Sequence, residues 1–229
     1  MNQQIFDAAI IDLDGTMVDT MGDFIVAINL MLLDMGLSPV DRSVVALRVG
    51  KGSEYLVQSV LSSLPVQSNR LHTAINREVD SGAALALYQK HYRVVNGQHA
   101  QVYPGVLEGL QALQQAGLKL ACLTNKPLAF AQTLLKLKGL DGFFSVVFGG
   151  DSFARKKPDP LPVLKTCEAL GTLPARTLII GDSSNDAQAA RTALCPVVLV
   201  TYGYNHGESV RGVDADGFVD SLADLHLLK

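Results

Sequence analysis

Two aspartates one residue apart, Asp12 and Asp14, close the apolar run Ala8-Ala9-Ile10-Ile11 and stand just before Gly15. The run is short, apolar and bounded by a turn signal, so it reads as a buried strand. Residues i and i+2 of a strand share a face, which brings both carboxylates to one point at its carboxyl end. Burying a carboxylate costs free energy unless a cation or hydrogen bonds meet it. Gly15 lets the chain turn away sharply from that point. A solvated polar turn is the alternative reading of the same stretch.

Other polar groups end apolar runs in the same manner. Thr124-Asn125 follow the run 118–123, and Asp182 follows Thr177-Leu178-Ile179-Ile180-Gly181. Lys157 lies in the loop Lys156-Lys157-Pro158-Asp159-Pro160, whose prolines stiffen it. A carboxylate nucleophile, a cation site and a fixed ammonium suit phosphoryl transfer, where the barrier is largely positioning and charge neutralisation. On this reading Asp12 attacks phosphorus, and Asp14 protonates the leaving alcohol and then activates water. Mg²⁺ takes oxygen ligands from Asp12, Asp182 and a main-chain or carboxylate oxygen of Asp14. Lys157 supplies a point charge to the phosphate, Thr124 a hydroxyl and Asn125 a backbone N–H.

The elements that must position these groups follow from periodicity. Apolar runs near 8–11, 118–123, 146–148, 177–180, 197–200 and 218–219 alternate with helical spacings at 105–117, 127–139, 160–171 and 184–194, and a terminal helix closes the chain. This alternation predicts βαβ units and a parallel sheet with helices on both faces, whose ligands bind beyond the strand carboxyl ends. Residues 20–98 break the pattern and read as helices throughout, including a long segment from Arg70 to Val95 that carries Ile75 and Val79. Thr20-Met21-Gly22-Asp23 has the spacing of a capping box at the first of these helices. The expected organisation is an α/β Rossmann-like core of residues 1–19 and 99–229, with a helical cap domain of residues 20–98 over the aspartates.

Composition limits the classes of function. The chain has 229 residues, 48% of them hydrophobic and 18% charged, enough for a full core and unlike a disordered chain. A net charge of -3 gives no general pull toward nucleic acid or an anionic membrane. No signal-peptide pattern opens the sequence and no apolar stretch is long enough to span a bilayer. Cys122, Cys167 and Cys195 are odd in number and far apart, as expected of reduced packing residues in a cytoplasmic protein.

The set Asp12-Leu13-Asp14-Gly15-Thr16, Thr124-Asn125, Lys157-Pro158 and Gly181-Asp182-Ser183-Ser184-Asn185-Asp186 resembles the four motifs of the haloacid dehalogenase superfamily. Within it the chain is similar to the bacterial phosphoglycolate phosphatases, through Thr124-Asn125-Lys126-Pro127, Gly149-Gly150-Asp151-Ser152 and Tyr202-Gly203-Tyr204-Asn205-His206-Gly207-Glu208. The resemblance implies a HAD-like fold and a Mg²⁺-dependent phosphatase acting on a small phosphorylated substrate, with no nucleic-acid or membrane partner, as a monomer or homodimer. It implies Asp12 as nucleophile, Asp14 as general acid and base, and Thr124, Asn125 and Lys157 around the phosphoryl group. It also implies a metal on Asp12, Asp182 and the Asp14 main-chain oxygen, with Asp186 as a ligand or a neighbouring carboxylate. Arg48 and Lys51 read either as cap contacts to a substrate carboxylate or as solvated charges in a glycine-flanked turn. His206 reads either as a loop contact to substrate or as a surface histidine. The chain departs from the pattern at Leu194, where a glycine is usual, and at Ile11, where Phe is common. Two alternatives stand beside this expectation: another sugar or nucleotide phosphatase or phosphomutase of the superfamily, and a non-catalytic regulator that binds a phosphorylated ligand.

Overall fold

The computed structural model describes residues 6–64 and 81–228. Its strands are β1 (Ala8–Ile11), β2 (Val18–Asp19), β3 (Gln101–Val102), β4 (Lys119–Leu123), β5 (Val146–Phe148), β6 (Thr177–Gly181), β7 (Val197–Val200) and β8 (Gly217–Val219). Six of them form one sheet in the order β5-β4-β1-β6-β7-β8, all parallel. The chain starts in the middle of this sheet and fills it outward in both directions. The switch point therefore lies at β1, between β4 and β6, where Asp12 emerges.

Alternation along the strands separates two cores. Ala9, Ile11, Leu120, Cys122, Leu178, Ile180, Val198 and Val200 face one side, and Ala8, Ile10, Ala121, Leu123, Ile179, Val197 and Leu199 face the other. Strands buried on both faces read as continuous apolar runs, which is how these runs look in the sequence.

The helices are α1 (Met21–Asp34), α2 (Arg42–Ala46), α3 (Ser53–Ser63), α4 (Ser81–Val95), α5 (Val106–Gln115), α6 (Leu128–Leu137), α7 (Leu161–Leu170) and α8 (Ser184–Thr192). Helices α5 and α6 cover one face of the sheet, and α7 and α8 cover the other. The expected terminal helix is a 3-10 helix, Leu222–Leu228, whose Leu222 and Leu225 join α5 in the first core. At Leu194 the chain leaves α8 with φ 61°, so a leucine adopts the left-handed turn for which glycine is favoured, with its side chain exposed.

Helices α1 to α4 build most of a third apolar cluster, from Met21, Phe24, Ile28, Met31, Leu32, Val45, Leu56, Val57, Val60, Tyr88 and Tyr92, which Phe130 of α6 joins. The expected helix of 70–95 is observed as α4; its Arg70 to Asp80 portion, with Ile75 and Val79, lies outside the described residues. The two chain crossings between this cluster and the sheet are tied together. β2 pairs antiparallel with β3, and the Asp23 carboxylate accepts from Gly97 N–H at 2.6 Å and His99 N–H at 2.8 Å.

These bonds correct the expected capping box. Asp23 reaches the returning crossing instead of the Thr20 N–H, and the Thr20 hydroxyl donates to Asp14 Oδ1 at 2.7 Å. The α1 terminus is capped from the far end of the chain: Tyr204 Oη accepts from Thr20 N–H at 2.8 Å and Met21 N–H at 3.1 Å, and donates to Asp19 at 2.7 Å. A tertiary hydroxyl takes the Thr20 N–H that the local box would have satisfied, and shares Met21 N–H with Asp19 Oδ1 at 3.0 Å.

Candidate active site

β1, β4 and β6 end side by side, and their next residues form the site. Asp12 N–H donates to Ile180 O at 2.9 Å, which carries the β1–β6 ladder into the aspartate. Asp12 Oδ1 accepts from Leu13 N–H at 2.7 Å and lies 3.1 Å from Lys157 Nζ. Lys157 is 4% exposed, and its ammonium also donates to Leu123 O and to Asp186 Oδ1, each at 2.7 Å. The lysine thus sits between two carboxylates and the last carbonyl of β4. Burial by itself disfavours its charge, but Asp12 and Asp186 outweigh that and hold it above its usual pKa.

Asp182 follows β6 with 3% exposure. Its Oδ1 accepts from the Thr16 hydroxyl at 3.2 Å and its Oδ2 from Tyr204 N–H at 2.7 Å. Two glycines make room for it. A Cβ on Gly15 (φ 85°) or on Gly203 would run into the Asp182 side chain. Asp186 begins α8; its Oδ2 accepts from the Ser183 hydroxyl at 2.7 Å and from Ser183 N–H at 3.2 Å, a capping box that fixes the carboxylate toward Lys157.

Carboxylate oxygens of Asp12, Asp182 and Asp186 lie within 4.8 Å of one another. Burial, followed by the charges of Asp186 and Asp14 acting against Lys157, pushes the Asp12 carboxyl up to about 7. Burial, followed by Asp186 and Asp12, raises Asp182 as well. A single ammonium does not balance this cluster, and hard oxygen donors of this kind fit a small divalent cation. The Asp14 carboxylate turns elsewhere, to Lys126 Nζ at 2.8 Å and to the Thr20 hydroxyl. Any metal contact from Asp14 therefore falls to its main chain.

A cavity of about 30 Å³ separates these strand ends from the helical cluster. Asp12, Asp14, Thr124, Asn125 and Lys126 line it from the sheet side, and Phe24, Val49, Gly50, Gly52, Ser53, Leu56 and Tyr92 from the helical side. Thr124 Oγ1 accepts from Lys126 N–H at 3.2 Å. The Asn125 side-chain amide donates to Lys157 O at 2.8 Å and to Gly50 O at 3.0 Å, linking the Lys157 loop to the helical side.

Arg48 and Lys51 do not line this cavity. The Arg48 guanidinium donates to Val44 O, a carbonyl at the end of α2 without a helical partner, and to Ser59 O of α3. Lys51 Nζ lies 5.1 Å from the centre of the Tyr55 ring. His206 packs beneath the Gly50 turn with Nε2 3.2 Å from the Asn185 amide, and burial, then the Lys51 charge, lowers its pKa. The sequence reading passed over Lys126, which is 5% exposed and paired to Asp14. Its one sequence signal is a lysine directly after Thr124-Asn125, three residues past the end of β4.

A family model described as haloacid dehalogenase-like hydrolase matches residues 9–200. The chain belongs to that family. It is 42% identical to a phosphoglycolate phosphatase of Thiobacillus denitrificans over 224 residues, 96% of this chain and 94% of the relative. It is 41% identical to a phosphoglycolate phosphatase of Nitrosospira multiformis over 94% of this chain and 92% of the relative. Among solved structures, that of a predicted phosphoglycolate phosphatase from Haemophilus somnus superimposes with a TM-score of 0.90 at 33% identity, covering 100% of this chain and 99% of that one.

Proposed function

We propose that this protein is a Mg²⁺-dependent phosphatase that hydrolyses 2-phosphoglycolate to glycolate and phosphate through an aspartyl-phosphate on Asp12. The observation that carries the reading is the convergence of Asp12, Lys157, Asp182 and Asp186 beyond the ends of β1, β4 and β6, with Asp12 and Asp14 together on the sheet side of the cavity. Full-length similarity to phosphoglycolate phosphatases supports the substrate.

Asp12 and Asp182, with the main-chain oxygen of Asp14 and with Asp186 beside them, would hold the cation. When bound, it offsets the negative charge that otherwise keeps a phosphate dianion from a carboxylate. Lys157 adds a fixed positive charge 3.1 Å from Asp12, with no reorganisation at the moment of reaction. Thr124 and the Asn125 backbone N–H hold the phosphoryl oxygens. An Asp12 oxygen bonds to phosphorus as the ester P–O bond breaks, and Asp14 gives its proton to the departing glycolate oxygen. Water then attacks the phosphorus, Asp14 takes the water's proton, and the bond to Asp12 breaks to release phosphate.

The helical segment 20–98 acts as a cap over a core of 1–19 and 99–229. The paired crossings and the Asp23 tie form its hinge, and the small cavity belongs to a closed arrangement. No helix among the described residues is long and apolar enough to cross a membrane. Three buried free thiols suit a reducing cytoplasm.

A phosphoester panel with and without Mg²⁺ tests the assignment. Release of phosphate from 2-phosphoglycolate should dominate, require the metal and vanish in Asp12→Asn. Better turnover of a sugar or nucleotide phosphate would overturn the substrate. Isomer conversion without net phosphate release would point to a mutase, and no turnover at all to a ligand-binding regulator.

A further inference from the structure

Lys126 is a buried charge that the phosphoryl chemistry leaves without a task. Its side chain is 2% exposed. Its ammonium lies 2.8 Å from Oδ1 and 3.1 Å from Oδ2 of Asp14, and 4.7 Å from the centres of both the Phe24 and Tyr92 rings. An ammonium has three donors, so pairing with one carboxylate leaves capacity for a second anion. Among the described residues that line the cavity, Lys126 is the one cation. Lys157 is already committed to Leu123 O, Asp12 and Asp186.

A second, independent observation lies on the cap side of the same cavity. Tyr92 lines it, is 1% exposed, and its hydroxyl has no hydrogen-bond partner among the described residues. Buried polar groups are nearly always paired, and an orphan one calls for an explanation. A ligand oxygen in the cavity provides it.

We infer that Lys126 is the specificity-determining residue for an acidic leaving group: Nζ receives the substrate carboxylate, and the Tyr92 hydroxyl donates to the same group. The inference rests on the phosphoglycolate reading and adds the residues that recognise the acid. Asp14 meets the ester oxygen, and the carboxylate of a two-carbon acid begins one methylene beyond that oxygen. Because Nζ sits against the Asp14 carboxylate, that group falls within its reach. Phe24 and Tyr92 shield the ammonium from water, where its attraction to a carboxylate is stronger. A neutral leaving group gains nothing from either donor. Selection thus comes mainly from the loop after β4, not from the basic residues of the cap turn.

The test compares kcat/KM for 2-phosphoglycolate with that for ethyl phosphate, a two-carbon ester without the carboxylate. Wild-type protein should strongly prefer the acid. Lys126→Met should lower the ratio of the two values by roughly 10- to 100-fold, mostly through KM for the acid. Tyr92→Phe should lower it by about 3- to 10-fold. Lys51→Met should leave it in place. Lys126 also touches Asp14, so a further loss common to both substrates is expected in its variant; the ratio separates recognition from that loss. An unchanged ratio in Lys126→Met and Tyr92→Phe, beside a wild-type preference for the acid, overturns the inference and leaves the phosphoglycolate reading standing. A wild type that hydrolyses both esters alike overturns both. A ratio that collapses in Lys51→Met moves the role to the cap turn and also overturns the inference. Should Lys126→Met lack a cooperative thermal transition, the Tyr92→Phe ratio decides alone.

Discussion

The two walls of the cavity are built on opposite principles. On the sheet side each carboxylate is held by named donors: Asp12 by Leu13 N–H and Lys157, Asp14 by Lys126 and Thr20, and behind the lining Asp182 by Thr16 and Tyr204 and Asp186 by Ser183 and Lys157. On the helical side the wall is mostly aromatic, aliphatic and glycine, and the Tyr92 hydroxyl has no hydrogen-bond partner among the described residues. The sheet wall is organised for one reaction, and it holds carboxylates that repel one another until a cation arrives. The helical wall is organised by its own apolar core and touches the reacting groups only at its edge. Asp12, Asp14 and the Lys126 ammonium therefore share the sheet side, and the helical side adds apolar shielding and the Tyr92 hydroxyl. The seam between them is bridged by Asn125, Lys126 and Tyr204.

Substitutions can break that contrast, beginning with the largest effect. Asp12→Asn should lower kcat by about 10⁴-fold or more, since it removes the nucleophile. In metal-free protein it should leave urea stability unchanged or higher, because it relieves a buried carboxylate whose burial pushes it up to about 7, while Lys157 keeps Asp186. A marked loss of stability would show that the sheet wall is held together by its charges and not strained by them.

Lys157→Met should be costly on both counts. Activity should fall by roughly 10²- to 10³-fold, and stability by about 3–5 kcal/mol in a denaturant titration, because Asp12 and Asp186 are left facing each other. Retained stability would mean that the carboxylates protonate and the wall tolerates the loss.

Adding Mg²⁺ should raise the thermal midpoint. A site filled at about a hundred times its dissociation constant gains about 2.7 kcal/mol, or roughly 5–10 °C for a chain of this size. Asp182→Asn should abolish most of that shift. An equal shift in the variant would place the cation elsewhere.

Tyr204→Phe tests the seam. It removes the acceptor for Thr20 N–H and one of the two for Met21 N–H, which keeps Asp19, so a loss of about 1–2 kcal/mol is expected, with the scissile chemistry intact once Mg²⁺ is bound. At the small end, Arg48→Ala should change kcat/KM by less than about twofold, since its guanidinium serves carbonyls outside the cavity. A tenfold loss of turnover on 2-phosphoglycolate would return Arg48 to the recognition of substrate.

The parts legible in the sequence share one property: their signals are local. Apolar runs ending in Asp12, Thr124 and Asp182 announced buried strands with polar carboxyl ends, and parallel pairing follows from the helices between them. The Ser183–Asp186 box is likewise local, and its spacing lies open in the chain. Thr20–Asp23 has the same kind of spacing, yet its side chains serve Asp14 and the returning crossing. Those competing partners lie far along the chain, where a spacing rule cannot see them. Arg48 misled for a related reason: a basic residue beside glycines suggests an anion, but nearby helix carbonyls claim it first.

By itself, then, the sequence determined the architecture and the polar residues that end its strands, because strand burial, turn chemistry and the need to neutralise Asp12 and Asp14 act over a few residues. Only the tertiary structure decided who touches whom across the cavity. Lys126 leaves β4 as an ordinary loop lysine in the sequence. It becomes a buried ammonium between Asp14, Phe24 and Tyr92 because three elements distant in the chain close around it. Burial, not residue type, turns that lysine into a group able to read an acid, since attraction between charges grows as water is excluded.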